Sequence, residues 1–274
     1  MTSRTPVVDS HLHIWSEDRE RYPRADTPYR ASVDLLFDYM DEAGVDHAVI
    51  VLPMHYRYDN RILADALREH PTKFSGVGVV DPLAADAPER LTELVERDGI
   101  RGVRLRATIE GQAFGHPAAD PLWRRAQELN IPICLLGKPE HVPLMRASLE
   151  RHPRAMVIID HFANIPAAWG VESEPFQTFL SLAEFPGVHI KLSGLHYWGS
   201  GRYPWPLAQP LLRAAIERFT PARVMWGSDW PHILFGGGYE RCLNFVRREL
   251  PWLSDGDRAR ILGGTALTLW PFGG

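Results

Sequence analysis

Along the chain, short apolar runs rich in β-branched residues alternate with longer stretches in which apolar positions recur every three or four residues. The runs occupy residues 6–14, 47–52, 75–80, 101–106, 131–136, 155–160, 188–192 and 223–226 and predict eight strands. Between them the spacing is helical. Leu35, Leu36, Tyr39, Met40 and Ala43 share one face that stops at Gly44. Asp120-Pro121 reads as an N-cap followed by a first-turn proline ahead of Leu122, Trp123, Ala126 and Leu129, and Pro88 and Pro139 mark similar starts. Ser254 with Asp257 caps a closing helix that carries Ile261, Leu262, Ala266 and Leu267. Strand starts lie roughly 24 to 41 residues apart, room for one crossover helix each, as parallel neighbours require. The economical solution is a closed (β/α)₈ TIM barrel. An open doubly wound sheet is the rival, but no G-x-G-x-x-G or P-loop follows any strand. With no repeat, low-complexity tract or linker, residues 1–274 read as a single domain. The long polar stretches 15–31 and 196–206 leave the first and seventh strands at the end where barrels carry their sites.

Composition narrows the function classes. Of 274 residues, 45% are hydrophobic and 23% charged, enough apolar material for a large core. A net charge of −4 offers no general attraction to nucleic acid or anionic lipid. No signal-like segment opens the chain, and the longest apolar runs are far shorter than a membrane span. Cys134 and Cys242, both in apolar segments, are too few for a disulfide framework, which points to a reducing compartment and a cytoplasmic protein. The expected partner is a small-molecule substrate, with a homo-oligomer left open.

The candidate chemistry clusters at strand ends. His11-Leu12-His13 closes the first strand, and alternation would send both imidazoles, with Asp9, to one face, where two nitrogens can converge on a cation such as zinc. An isolated pair of this kind is as readily one carboxylate-bound and one solvated histidine. His161 ends the sixth strand and Asp229 the eighth, so a barrel would gather His11, His13, His161 and Asp229 at one mouth. Taken alone, Asp229 reads as a helix cap and His161 as a core histidine. Arg104 and Arg106 share a face of the fourth strand, and Lys191 one with His189 and Ser193 on the seventh. These cations suit an acidic or polyhydroxylated substrate, or structural ion pairs with Asp9, Asp81 or Asp160. Trp15 and Trp230 adjoin the proposed ligands as pocket walls, and His196 and His232 lie on neighbouring loops. The aromatic loop of Tyr197, Trp198, Tyr203 and Trp205 reads as rim covering, with a capping lid as the alternative.

His11-Leu12-His13, Ile159-Asp160-His161 and Gly227-Ser228-Asp229-Trp230-Pro231, supported by Asp59-Asn60-Arg61, Gly78-Val79-Val80-Asp81-Pro82, Arg101-Gly102-Val103-Arg104 and Lys191-Leu192-Ser193-Gly194-Leu195, resemble the amidohydrolase superfamily in its amidohydrolase-2 branch. The resemblance spans essentially the whole chain. It implies a metal-dependent TIM-barrel hydrolase similar to the branch's lactonases, which open small cyclic esters; related decarboxylases share the outline. The departures are informative. Dinuclear members carry a bridging carboxylated lysine or glutamate on strand four and a histidine on strand five, where this chain has Arg104 with Arg106 and Cys134 to Gly137. Arginine cannot bridge two metals, so the expectation is at most one divalent ion, zinc or alternatively manganese, held by His11, His13, His161 and Asp229, weakly bound or dispensable. His55, His116 and His196 are candidates to fill the gap left on strand five.

The mechanism expected from these residues is ester hydrolysis. Asp229 acts as general base on the attacking water, and His161 serves as a ligand or as a hydrogen-bond donor to the oxyanion. Arg104, Arg106, Lys191, Trp15, His196 and His232 would bind substrate. A decarboxylase on the same site, Schiff-base chemistry at Lys191, and a non-catalytic barrel that binds a small ligand are the alternatives.

Overall fold

The computed structural model describes residues 4–107 and 114–273. Among the described residues there are eight strands: β1 Val8–Leu12, β2 His47–Val51, β3 Phe74–Val77, β4 Val103–Arg106, β5 Ile133–Leu136, β6 Val157–Ile159, β7 Val188–Leu192 and β8 Val224–Trp226. They pair in parallel as β1-β2-β3 and β4-β5-β6-β7-β8. Two bridges join these sheets into the TIM barrel. Gly78 pairs with Val103, and Leu12 pairs with Trp230. The second seam is sewn by Asp229 N–H donating to the His11 carbonyl and His13 N–H to the Trp230 carbonyl, both at 2.8 Å.

Helices α1 Val33–Ala43, α2 Arg61–Glu69, α3 Ala87–Glu96, α4 Asp120–Glu128, α5 Val142–Arg151, α6 Glu174–Ser181, α7 Leu195–Trp198, α8 Ala208–Phe219, α9 Tyr239–Arg248, α10 Asp255–Ala259 and α11 Thr265–Leu269 complete the chain. The first ends at Gly44, whose φ of 66° gives the left-handed cap that glycine tolerates. Ser254 Oγ accepts the Asp257 N–H at 3.1 Å, the cap read from sequence. At α4 the reading needs correction: Asp120 is the first helical residue, and its carboxylate takes His152 Nε2 at 3.0 Å instead of capping the helix. A π-helical turn, Arg260–Gly264, separates α10 from α11. Among the described residues no helix is long and apolar enough to cross a membrane.

The core has two parts. The larger lies between strands and helices. A second cluster, Val8, Val49, Val51, Val77, Cys134, Ile158 and Met225 with Ala266 and Trp270, collects the other face of the strands, the packed interior of a barrel. Both cysteines are buried and unpaired.

Register on β1 decides what faces the site. Val8 pairs with His47, Asp9 with Ala48, and Leu12 with Ile50, so two residues of β1 oppose one of β2 between the last two pairs. This bulge breaks the two-residue alternation. His11 and His13 face the barrel mouth, but Asp9 does not join them. Its Oδ1 accepts the Ser228 N–H at 2.9 Å and the His11 N–H at 3.1 Å, while its Oδ2 and the hydroxyl of Tyr239 on the outer helix α9 are buried without a hydrogen-bond partner.

Candidate active site

At the C-terminal ends of the strands the geometry converges on one carboxylate. Asp229 follows β8 with φ 61°, a left-handed turn that Asp tolerates better than most residues. Its Oδ1 lies 3.3 Å from His13 Nε2, 3.6 Å from His11 Nε2 and 3.8 Å from His161 Nε2, and its Oδ2 lies 3.6 Å from His196 Nε2. Asp229, His11, His13 and His161 are buried and His196 is half-buried, and neither carboxylate oxygen has a hydrogen-bond partner. Polar atoms left unpaired in a buried site are costly. Ligand atoms of His11, His13 and Asp229 lie within 4.8 Å of one another, and His11 Nε2 is likewise unpartnered, so this donor set fits a divalent cation.

His13 and His161 are held from behind, whereas both ring nitrogens of His196 are unpartnered. His13 Nδ1 donates to the Val51 carbonyl at 2.7 Å, leaving its Nε2 lone pair toward Asp229. His161 Nδ1 contacts Ser193 Oγ at 2.8 Å. Gly194, with φ 66°, sits so close behind that a Cβ there would approach His161 Nδ1 to 2.8 Å. Burial lowers the His161 pKa to about 4 despite the attraction of Asp229, so the ring is neutral near pH 7. For Asp229, burial favours the protonated form, but the nearby imidazoles of His161, His13 and His11 outweigh it and hold the carboxyl below the usual range. His232 contacts the Tyr29 hydroxyl through Nδ1, and burial with His13 nearby lowers its pKa to about 4.

A charged layer lies beneath. Asp160, which follows β6, receives Arg104 Nε on Oδ2 at 3.0 Å and has Lys191 Nζ and His11 Nδ1 each 3.3 Å from Oδ1. Burial would raise its pKa, but Lys191, His11 and Arg104 drive it well down. Lys191 is fully buried, 3.2 Å from His11 Nδ1, with its charge over the Trp270 ring. It therefore lies under the ligand set, not on the pocket wall. Arg106 differs: it has no carboxylate partner among the described residues, and its Nε and Nη2 are unpartnered. Burial and the neighbouring Arg104 lower its pKa to about 10, still cationic at neutrality.

The loops place the remaining candidates. Trp15 is wedged among Tyr29, His55 and His232 at ring distances of 5.4, 5.5 and 6.1 Å. Trp230 packs on Tyr39 of α1, away from the mouth, because the chain turns between it and Asp229. Trp198 and Trp205 are core residues, whereas Tyr197 stands 55% exposed beside His161. Sequence reasoning named Asp160 only as a structural ion-pair partner, the pairing found with Arg104 and Lys191, and Ser193 only as a neighbour of Lys191 on its strand face, and it passed over Tyr29. Asp160 carried a signal, a carboxylate ending an apolar strand; Tyr29, in a polar loop, carried none.

The chain is similar to known proteins over almost its whole length. An L-fucono-1,5-lactonase of Burkholderia ambifaria is 31% identical, with 94% of this chain and 93% of that protein aligned. A 4-sulfomuconolactone hydrolase of Rhizobium radiobacter is 30% identical over 93% of this chain and 81% of its own length. The crystal structure of a Burkholderia multivorans amidohydrolase with bound zinc superposes at a TM-score of 0.81 and 25% identity, covering 97% of this chain and all (100%) of that one. The family model described as amidohydrolase matches residues 8–272, and the chain belongs to that family.

Proposed function

We propose that the protein is a lactonase, a hydrolase that opens a small cyclic ester at the mouth of its single barrel domain. The observation that carries the reading is the Asp229 carboxylate, buried, ionised and free of hydrogen bonds, with four imidazoles around it. A carboxylate in that state is an acceptor waiting for a proton donor, and an attacking water is one. The relatives named above, a fuconolactonase and a sulfomuconolactone hydrolase, support the substrate class.

In this reading Asp229 takes the proton of the water that attacks the ester carbonyl and later returns it to the ring oxygen, which leaves as a hydroxyl. His161, neutral and backed by Ser193, donates to the carbonyl oxygen as charge develops there, a contact worth about 3–4 kcal/mol in comparable sites. His11, His13 and Asp229 would hold one divalent cation, zinc by the donor types, which supplies Lewis acidity toward the carbonyl when bound. Arg106 orients an anionic group on the substrate through its unpartnered guanidinium edge. Trp15, His196 and His232 complete the wall, and Arg104 and Lys191 act from below through Asp160. The two unpaired thiols suit a reducing cytoplasm.

The test is proton release from a panel of aldonolactones and dicarboxylate lactones, with Asp229→Asn alongside. Hydrolysis that falls about 10²- to 10⁴-fold in the variant supports the reading. Carbon dioxide release from carboxylated compounds without lactone opening would replace it with decarboxylation. Saturable binding without turnover would make the barrel a binding protein.

A further inference from the structure

We infer that Lys191 locks His11 in the tautomer that carries its proton on Nε2, and that this lock holds down the affinity of the His11–His13–Asp229 site for a divalent cation. The inference rests on reading that trio as a cation site and is independent of lactone hydrolysis.

The argument begins with donor and acceptor counts. A lysine ammonium donates three hydrogens and accepts none, while a neutral imidazole offers one N–H and one lone pair. Lys191 Nζ lies 3.2 Å from His11 Nδ1 in hydrogen-bonding geometry, with the Cys134 sulfur at 3.8 Å as a weak further acceptor. Lys191 is 0% exposed, so no solvent can take the hydrogens that these groups do not. If Nδ1 accepts from Lys191, the imidazole hydrogen is on Nε2. The competing arrangement has Nδ1–H donating to Asp160 Oδ1. That oxygen lies 3.3 Å from both Nδ1 and Nζ yet has no hydrogen bond, and Asp160 Oδ2 is occupied by Arg104. The better-aligned contact is the one with Lys191.

His13 shows the opposite state. Its Nδ1 faces the Val51 carbonyl at 2.7 Å, and a carbonyl can only accept, so the Nε2 lone pair is ready for a cation. His11 must instead move its hydrogen from Nε2 to Nδ1 before it can coordinate. Doing so deprives Lys191 of an acceptor and leaves its ammonium close beneath an added divalent charge. Lys191 is thus a positioning residue that favours the cation-free form of the site, and Asp160 favours the loaded one.

The test uses Zn²⁺ as the probe. Its affinity for the metal-free protein, by competition with a chromogenic chelator, is compared between wild type and Lys191→Met, which keeps length and apolar bulk without the donor. Freed from Lys191, His11 Nδ1–H turns to Asp160 and Zn²⁺ binds about 10- to 100-fold more tightly, the worth of one hydrogen bond to a charged group. Equal or weaker binding overturns the inference. Should the variant not fold, long-range ¹H–¹⁵N correlation on the metal-free wild type, with His11 identified by comparison with His11→Gln, reads the tautomer directly. An Nε2–H ring is expected; an Nδ1–H ring refutes the lock. Neither measurement uses a lactone, so failure of the hydrolase reading and failure of this one are distinguishable.

Discussion

Replacing Asp9 tests whether the seam between β1 and β8 holds the site together. One carboxylate oxygen accepts both the His11 and the Ser228 amides, the residues on either side of the seam. In Asp9→Ala both buried amides lose their partner at about 1–3 kcal/mol each, a combined loss of about 2–6 kcal/mol against a typical total of about 5–15. Asp9→Asn keeps an acceptor oxygen and removes a charge the site disfavours. Burial raises the Asp9 pKa to about 6 against 3.8 unfolded, so the ionised native state carries a penalty of roughly 3 kcal/mol at pH 7 that asparagine never incurs. The asparagine variant is therefore expected to be at least as stable as wild type at pH 7, and the alanine variant clearly less so. Urea unfolding followed by circular dichroism measures both. Because the same seam sets the spacing between His11 and Asp229, kcat of folded Asp9→Ala should fall by about 10²-fold with KM little changed, the usual consequence of a misplacement near 1 Å. An alanine variant within about 1 kcal/mol of the asparagine variant would refute the reasoning.

Arg106→Leu should raise KM about 10- to 100-fold for lactones bearing a carboxylate and much less for neutral ones; an equal effect on both would remove Arg106 from substrate recognition. Gly236→Ala would place a Cβ 1.9 Å from His196 Cβ, so a stability loss of about 1–3 kcal/mol and a lower kcat are expected, and an unperturbed variant would show that the two loops yield freely. His161 has a folded pKa of about 4 against 6.5 unfolded, so the unfolded chain binds more protons between those values and stability rises with pH across that window, by about 3 kcal/mol at most. Asp9 acts with the opposite sign between 3.8 and about 6, and the effect is best read as the difference between Asp9→Asn with and without His161→Gln.

The barrel was legible because each strand is a compact β-branched run, and all eight appear within a few residues of their expected places. The convergence of four polar groups was legible for a related reason. His11, His13, His161 and Asp229 each end an apolar run, and a barrel turns that linear coincidence into a ring. Asp9 was misplaced because a strand's alternation is readable only while its register is unbroken, and the extra residue before Leu12 leaves no mark in composition. Lys191 was misplaced for a different reason. Sequence gives the face of a strand but not the depth, and a long side chain on the inner face can end below the site as readily as on its wall. Trp230 follows Asp229 directly, yet a left-handed turn at Asp229 sends it outward to Tyr39.

Depth also decides the charge balance, which accounts for the arginine on strand four. Beneath Asp229 lie Arg104 and Lys191, both cationic, and Asp160, ionised by their presence. Two positive charges then face two carboxylates, and His11 and His161, kept neutral by burial, add nothing. A bridging carboxylate on strand four would leave this layer negative and call for more cations, whereas the arginine leaves it balanced. A divalent ion entering a balanced, buried layer carries its charge uncompensated, a penalty offset only by the ligand bonds. Among the described residues Arg106 is the remaining cation at the mouth without a carboxylate ion pair, and an anionic group on the substrate would restore neutrality there. On this tally the site is better matched to a negatively charged lactone than to a tightly held metal; the Arg106→Leu comparison of charged with neutral substrates tests the first half of that statement, and the Zn²⁺ affinity of the wild type tests the second.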